Sequence, residues 1–533
     1  MQKVDFIRKE IFLKSLAMSS FLLFVPLSFI AAIMFVITPL VLNNIVREQN
    51  AITAFNIFLI VLFLVVGHLV LAANIFIKNK LIQKYHVDAT LAMYKNVFKI
   101  SYDSYLKMEP SNIQQRVYSA VDAYSRFFFG TVPTLIINSV MIVTTLLIIV
   151  FMNPMIALLM FLTLPFNYFG YKYLNKKLSK LSVELNETSS KAWKDENSVI
   201  SQVDFIKQNA NNDYLLPLIG KHKNLSQDIT RRVNNYANGA SSMLSGVNLI
   251  VKNLLILLLA SMMLQDAYLV GSVLFVILVL PYFTTAVAEL TRTNLDISAI
   301  KAADVFIEEI TNAFEVDGKQ PLQKIDDIFV SIPEVSIGGN VLLRDVSMQF
   351  KKGDIIGIIG GSGMGKSTLV KLIAKFRPSQ SIQVNGVVIS DLQNKDYLTR
   401  VSYYSQQAPI ISGTILENLN FGRKPSSEDT YKVIEFLNKF ENLQEIILEN
   451  GSNLSGGDKQ RIAMARYFTE EADIVILDEP TNSLDKATED EILSSVLRHN
   501  DDKIIFLISH NPKNMKYCTH ITEIHEGKLV NTN

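Results

Sequence analysis

The run Gly360, Gly361, Ser362, Gly363, Met364, Gly365, Lys366, Ser367, followed by Thr368, combines closely spaced glycines with one cation and two hydroxyls. Glycines at these intervals let successive backbone N–H groups turn towards one anion. Lys366 adds a charge for terminal phosphates, and the Ser367 hydroxyl suits Mg2+. Far along the chain, DIVILDEP, Asp473 to Pro480, carries four apolar residues into the adjacent carboxylates Asp478 and Glu479. Neighbouring acids repel, so the pair makes sense beside a cation. Asp478 can join the shell of Mg2+, and Glu479 can polarise a water for attack on a γ-phosphate. His510 ends the apolar run KIIFLISH, and strand ends are where such sheets bind ligands. NLSGGDKQRIAMAR supplies a second anion site, with Ser455, Gly456 and Gly457 opening an amphipathic helix.

These groups need a scaffold, and the flanking patterns supply one. DIIGIIG is unbroken apolar sequence ahead of the glycine run, and TLVKLIAKF behind it reads as a helix, the strand–loop–helix setting of a P-loop. A polar linker at 311–327 introduces residues 328–533, where short apolar strands alternate with helical segments. That alternation predicts an α/β P-loop NTPase domain.

The first half of the chain has another texture. Hydrophobic residues make up 49% of the sequence, more than one soluble core of this length usually holds. Runs free of charge, apart from the single interruption by Lys252, predict six membrane spans at 21–42, 51–77, 127–152, 154–171, 239–264 and 267–288, the first two plainly long enough to cross ~30 Å of hydrocarbon. Residues 1–310 therefore read as a six-helix all-α transmembrane domain, making the chain multi-domain. Lys78 to Arg126 carries eight basic residues and Lys172 to Asn238 carries eleven, whereas the turns after spans one, three and five together carry only Arg47. Basic loops stay inside, so both termini and the α/β domain are expected in the cytoplasm. Both long loops read as helices continuing out of the membrane. Lys plus Arg, 51, balances Asp plus Glu, 50, which gives no excess for a nucleic acid partner, and the single Cys518 cannot form an intramolecular disulfide.

Taken in order with YYSQQAPIISGTI and VILDEPTNSLD, the motifs closely resemble the nucleotide-binding domain of ATP-binding cassette (ABC) transporters, and the whole chain resembles an exporter-type half-transporter. That resemblance implies ATP and Mg2+ as cofactors and ATP hydrolysis coupled to transport. Gln406 matches the residue that senses Mg2+ and faces the membrane domain. His510 matches the histidine that contacts the γ-phosphate, Asp485 the acid that communicates between two ATP sites, and Glu449 the acid before the signature that touches the loops. Ile337 aligns where an aromatic usually stacks on adenine, and Asp458 stands where the signature usually has Gln. The segment between Gln406 and Ser455 is shorter than usual. The resemblance further implies that two cassettes pair head to tail around ATP, with segments near Gln114 to Tyr124 and Phe205 to Asp213 as coupling helices. Because Glu479 and His510 are both present, a homodimer is expected.

The cargo is addressed by fewer residues. Lys252 lies roughly 20 Å from the outer end of span five at 1.5 Å per residue, near mid-membrane, where an ionisable group normally faces a cavity or partner. With Asn248, Asn253, His68 and Asn138 it is the expected lining of a substrate chamber. The resemblance is strongest to bacterial microcin and antimicrobial-peptide exporters, which implies a small peptide carried across the cytoplasmic (inner) membrane. A lipid flippase or multidrug exporter is the alternative within the class, and an ATP-gated channel or membrane sensor the alternative outside it.

Overall fold

The computed structural model describes residues 53–152, 154–208, 212–265, 270–337, 339–361, 363–421, 433, 435–437, 440, 442–481, 484, 486–497 and 502–531, with a few isolated positions between 26 and 41. The chain divides into two compact units, residues 1–100 with 104–314, and residues 101–103 with 315–533.

The N-terminal unit is helical. Its longest members, Ala54–Val97, Pro154–Ile200 and Leu216–Gln265, run 44, 47 and 50 residues without a break. At 1.5 Å per residue each is about 65 to 75 Å long, more than twice the hydrocarbon thickness. Among the described residues, Ala54–Val97, Pro110–Phe151 and Leu216–Leu258 are long and apolar enough to cross a membrane, and Pro154–Gly170 and Val279–Leu290 are shorter apolar stretches. Phe58, Val65, Leu69 and Phe76 on the first helix stay exposed, as do Leu249, Ile250, Leu254 and Leu257 on the last, a surface suited to lipid or another apolar partner. The expected span at 21–42 falls largely outside the described residues, and the helix at the last expected span is Val270–Arg292.

This unit also has a core of its own. In Pro110–Arg126 the buried Ile113, Val117, Ala120, Val121 and Tyr124 recur at helical spacing and share one face. That face packs with Tyr85, Met93, Phe306, Ile307 and Ile310. Arg116 locks the contact, pairing with Glu309 at 2.7 Å while its guanidinium lies 4.2 Å over the Phe306 ring. One face of the stretch Gln114 to Tyr124 is thus buried inside the unit, while Gln114 and Tyr118 on its other face stay exposed. The part of this loop that packs with the C-terminal unit is Ser101–Asp103.

The C-terminal unit is α/β. Its strands are β1 (Asp327–Ile337), β2 (Asn340–Lys351), β3 (Ile355–Gly360), β4 (Ile382–Val384), β5 (Val387–Val388), β6 (Val401–Tyr404), β7 (Gly413–Thr414), β8 (Ile446–Ile447), β9 (Ile474–Asp478), β10 (Ile504–Ile508), β11 (His520–His525) and β12 (Lys528–Asn531). The central sheet runs β12-β11-β3-β10-β9-β6 and is parallel except for β12, and a four-stranded antiparallel sheet runs β2-β1-β4-β5. Every residue of β9 and β10 is buried, as continuous apolar strands covered on both faces require. Register pairs Asp478 with Ile508, so the C-terminal ends of β9 and β10 align on one edge.

Candidate functional site

At the end of β3 the chain enters backbone conformations that only glycine adopts readily. Gly365 has φ of 96° and caps the helix Lys366–Ile373. A side chain there would place its Cβ 2.8 Å from the Leu342 carbonyl oxygen, so residue 365 is Gly for both space and conformation. The helix N-terminus opens on this loop, with its N–H groups and favourable dipole. Lys366 is buried, and its Nζ donates to the carbonyls of Gly360 and Gly361 at 2.8 and 2.9 Å, which holds the ammonium across the loop. Ser367 is exposed at the helix start, Thr368 half-buried behind it, and Met364 exposed on the loop tip. Ser362 lies outside the described residues.

The two acids of LDEP part company at the strand end. Asp478, still on β9, accepts from Ser367 Oγ at 3.4 Å through Oδ1 and from the Tyr403 hydroxyl at 2.7 Å through Oδ2. Burial, then the hydrogen bond to Asp478, pushes the Tyr403 phenol well above its ordinary range and keeps it a donor. Glu479 takes φ of 52°, a left-handed conformation that costs a non-glycine residue of order 1 kcal/mol or more. Its N–H bonds the Ile508 carbonyl at 3.1 Å, and its Oε1 lies 2.7 Å from His510 Nε2. Sequence reading missed the group that steadies this region. Glu489, on the helix Lys486–Leu497, accepts from Thr481 at 2.9 Å, Asn511 at 3.1 Å and Asn514 at 2.6 Å, tying the segment after Glu479 to the segment after His510.

The signature has its own geometry. Ser455 caps the helix Gly456–Ala465 in a reciprocal capping box with Asp458: the Asp458 N–H donates to Ser455 Oγ, and Asp458 Oδ2 accepts the Ser455 hydroxyl at 2.6 Å and its N–H at 3.3 Å. Asp458 therefore has a local structural role that sequence reading did not foresee, although Ser-x-x-Asp spacing carries the signal. A Cβ on Gly457 would meet Leu484 at 3.1 Å. At the far end of that helix Arg466, buried, donates to the carbonyls of Asn418 and Pro409, each at 2.7 Å, and braces the segment that follows Gln406. Gln406 is itself exposed, and its carbonyl accepts from Gln460 at 3.5 Å. Glu449 is exposed in the turn Glu449–Gly451. The Ile337 backbone pairs with Asn340 in the β1–β2 hairpin. Asp485 lies outside the described residues.

Lys366, Ser367, Asp478, Glu479 and His510 thus converge on one edge of the central sheet. The Ser367 hydroxyl and the Asp478 carboxylate are hard oxygen donors facing each other, a set that fits Mg2+. Among the described residues no group of three or more His, Cys, Asp or Glu side chains forms a metal cage. Mg2+ is usually held by one or two carboxylates together with substrate phosphates, so the arrangement suits it.

In the N-terminal unit, Asn248 and Asn167 exchange two amide hydrogen bonds at 3.0 Å, both side chains buried. Asn167 was not singled out by sequence reading, although an amide in an uncharged run was the available signal. It borders a cavity of about 310 Å³ that Ser139, Leu164, Val287 and Thr293 also line. Asn138 donates to Thr134 and His68 bonds Leu64, each on its own helix, while Lys252 is half-buried and Asn253 exposed.

Known proteins share this combination. A family model described as ABC transporter matches residues 343–482, and one described as ABC transporter transmembrane region matches residues 16–287. The chain is 35% identical over 227 residues to "Probable ABC transporter ATP-binding/permease protein" of Haemophilus influenzae, covering 40% of this chain and 41% of that protein. It is 30% identical over 299 residues to a lactococcin-G-processing and transport ATP-binding protein of Lactococcus lactis, covering 53% of this chain and 42% of that one. The matches thus span about two-fifths of the length of these two relatives. The fold matches a solved structure of a bacterial Atm1-family ABC exporter with ATP bound at a TM-score of 0.78 and 18% identity, over 96% of this chain and 94% of that one. A membrane region and a nucleotide-binding region matched in one polypeptide, around a P-loop, an acid pair and a signature helix built as described, establish that this chain belongs to the ABC transporter family.

Proposed function

We propose that the chain is half of an ATP-driven exporter, that two copies of it form the working unit, and that each copy hydrolyses ATP at the edge of its central sheet. The observation that carries this reading is the grouping of Lys366, Ser367, Asp478, Glu479 and His510 on that edge. Lys366 would exchange its two carbonyl partners for phosphate oxygens. Ser367 and Asp478 would hold Mg2+, which when bound offsets charge on the β- and γ-phosphates. Glu479 would accept the proton of the attacking water, and His510 would hold Glu479 in place and contact the γ-phosphate. Gln406 would sense the loaded site, Asp485 would link the two sites, and the signature of Ser455, Gly456 and Gly457 would close on the nucleotide of the other copy. Adenine would rest near Ile337. Closure lasts while the γ-phosphate bridges both copies, so hydrolysis reopens the pair.

The membrane-facing part of the reading places both termini and the cassette in the cytoplasm of a bacterium, with the inner membrane as the site of action. The cargo reading is a small peptide, supported by the similarity to a lactococcin transport protein. Lys252 and Asn253 are the chamber-lining candidates, and Asn248 joins them only through its bond to Asn167. The test uses purified protein in inside-out vesicles. Concentrative, vanadate-sensitive peptide uptake supports the proposal. Uptake that only equilibrates the peptide points to a channel, and uptake of lipid or drug instead of peptide replaces the cargo.

A further inference from the structure

The Asp478 carboxylate divides its two oxygens between two partners. Oδ1 faces the Ser367 hydroxyl, and Oδ2 accepts the Tyr403 phenol at 2.7 Å. The chemistry above uses Ser367 and leaves Tyr403 without a role. Tyr403 sits on β6 opposite Ile476 of β9, and side chains two apart on a strand share a face, so register alone puts its ring beside Asp478. The ring is held from behind. It meets Phe376 edge-on at 5.2 Å, and Phe376 stacks on Tyr102 at 5.4 Å with the planes 19° apart. Beside this stack Arg377 clasps Asp103 with two nitrogens, at 2.8 and 3.0 Å. Tyr102 and Asp103 belong to the short stretch 101–103 that packs with the C-terminal unit. Three rings therefore lead from that stretch to a carboxylate of the nucleotide site.

We propose that Tyr403 is a positioning residue for the Mg2+-binding carboxylate, and that the Tyr102–Phe376 stack sets the position of its ring. The inference rests on the nucleotide-site reading above. A carboxylate tied at one oxygen presents the other in a fixed direction, and partners behind metal ligands typically change metal affinity about 10- to 100-fold. The phenol donates without adding a positive charge that would compete with the cation. A shift of residue 102 moves Phe376 and then Tyr403, so Mg2+ affinity reports where residues 101–103 lie. By reciprocity, Mg2+ binding biases the position of those residues.

The test measures equilibrium ATP binding to the full-length protein in lipid nanodiscs, with EDTA and across a Mg2+ titration. Tyr403→Phe keeps the ring and removes the hydroxyl. The Mg2+ concentration that half-maximally strengthens ATP binding is expected to rise about 10-fold, while affinity in EDTA stays unchanged. Tyr102→Ala is expected to raise the half-saturating Mg2+ in the parent and to add nothing in the Tyr403→Phe background. An unchanged half-saturation in Tyr403→Phe, or an equal loss of ATP affinity in EDTA, overturns the positioning role. Equal effects of Tyr102→Ala in both backgrounds overturn the ring route. If the parent protein shows no Mg2+ dependence at all, the nucleotide-site reading itself fails.

Discussion

His510 Nε2 lies 2.7 Å from Glu479 Oε1, at the one acid of the LDEP run whose backbone is left-handed. The contact directs the carboxylate that a hydrolytic water would meet. Glu479→Gln keeps the shape and removes the base, so phosphate release is expected to fall about 10²- to 10⁴-fold while equilibrium ATP binding persists. Full turnover in this variant would refute the assignment of Glu479 as base.

Lys366 carries the only charge within the glycine run. Lys366→Ala removes charge-assisted hydrogen bonds to phosphate, each worth roughly 1.5–3 kcal/mol, so ATP affinity is expected to drop about 10- to 100-fold. Titration with a fluorescent nucleotide reads the loss directly. Unaltered affinity would mean that the phosphates are held elsewhere.

Gly365 combines φ of 96° with a neighbour 2.8 Å from any added Cβ. Gly365→Ala is expected to cost about 1–3 kcal/mol through backbone strain alone, seen as a lower unfolding midpoint, and to weaken ATP binding by tilting the loop. A variant of parental stability would show that the loop relaxes freely.

Asn167 and Asn248 satisfy each other away from water. Replacing either by Leu strands the other amide, at a cost of about 1–3 kcal/mol, and replacing both recovers part of it. Measured couplings between such groups in membranes average about 0.6 kcal/mol and reach about 1.7 kcal/mol. Additive losses across the double-mutant cycle, measured by thermal unfolding in detergent, would show that the two amides act independently.

Burial pushes the Cys518 thiol from about 9 up to about 12. A folded-state value above the unfolded one stabilises the fold below about pH 9, and that contribution is lost as pH rises towards 12. Labelling by a thiolate-selective reagent at pH 8 is expected to be slow in the native protein and fast once it unfolds. Rapid native labelling would contradict the burial.

The P-loop, the acid pair, His510 and the signature could all be read from the chain because each is a local pattern that needs only its own strand or helix. Tyr403, Glu489 and Asn167 could not. Their partners lie 8 to 81 residues away, and nothing in a tyrosine, a helical glutamate or an asparagine in an apolar helix announces which group it will meet. Gln114 to Tyr124 was legible only in part. Its amphipathic pattern was legible, but a pattern marks a buried face without saying what buries it, and the face closes on Phe306 and Ile307 of the same unit. The long helices were legible as apolar runs joined to periodic polar ones, continuous in spite of Pro165 and of Gly170 and Gly239 near the joins.

That unbroken construction has a mechanical consequence. A rod about 70 Å long that tilts by about 5° carries its far tip through about 6 Å, given 1.5 Å of rise per residue. Pro154–Ile200 and Leu216–Gln265 are such rods, each one continuous helix, the first with Pro165 inside it. Rods of this length are lever arms, in which a small change of tilt at one end becomes a displacement of several ångströms at the other.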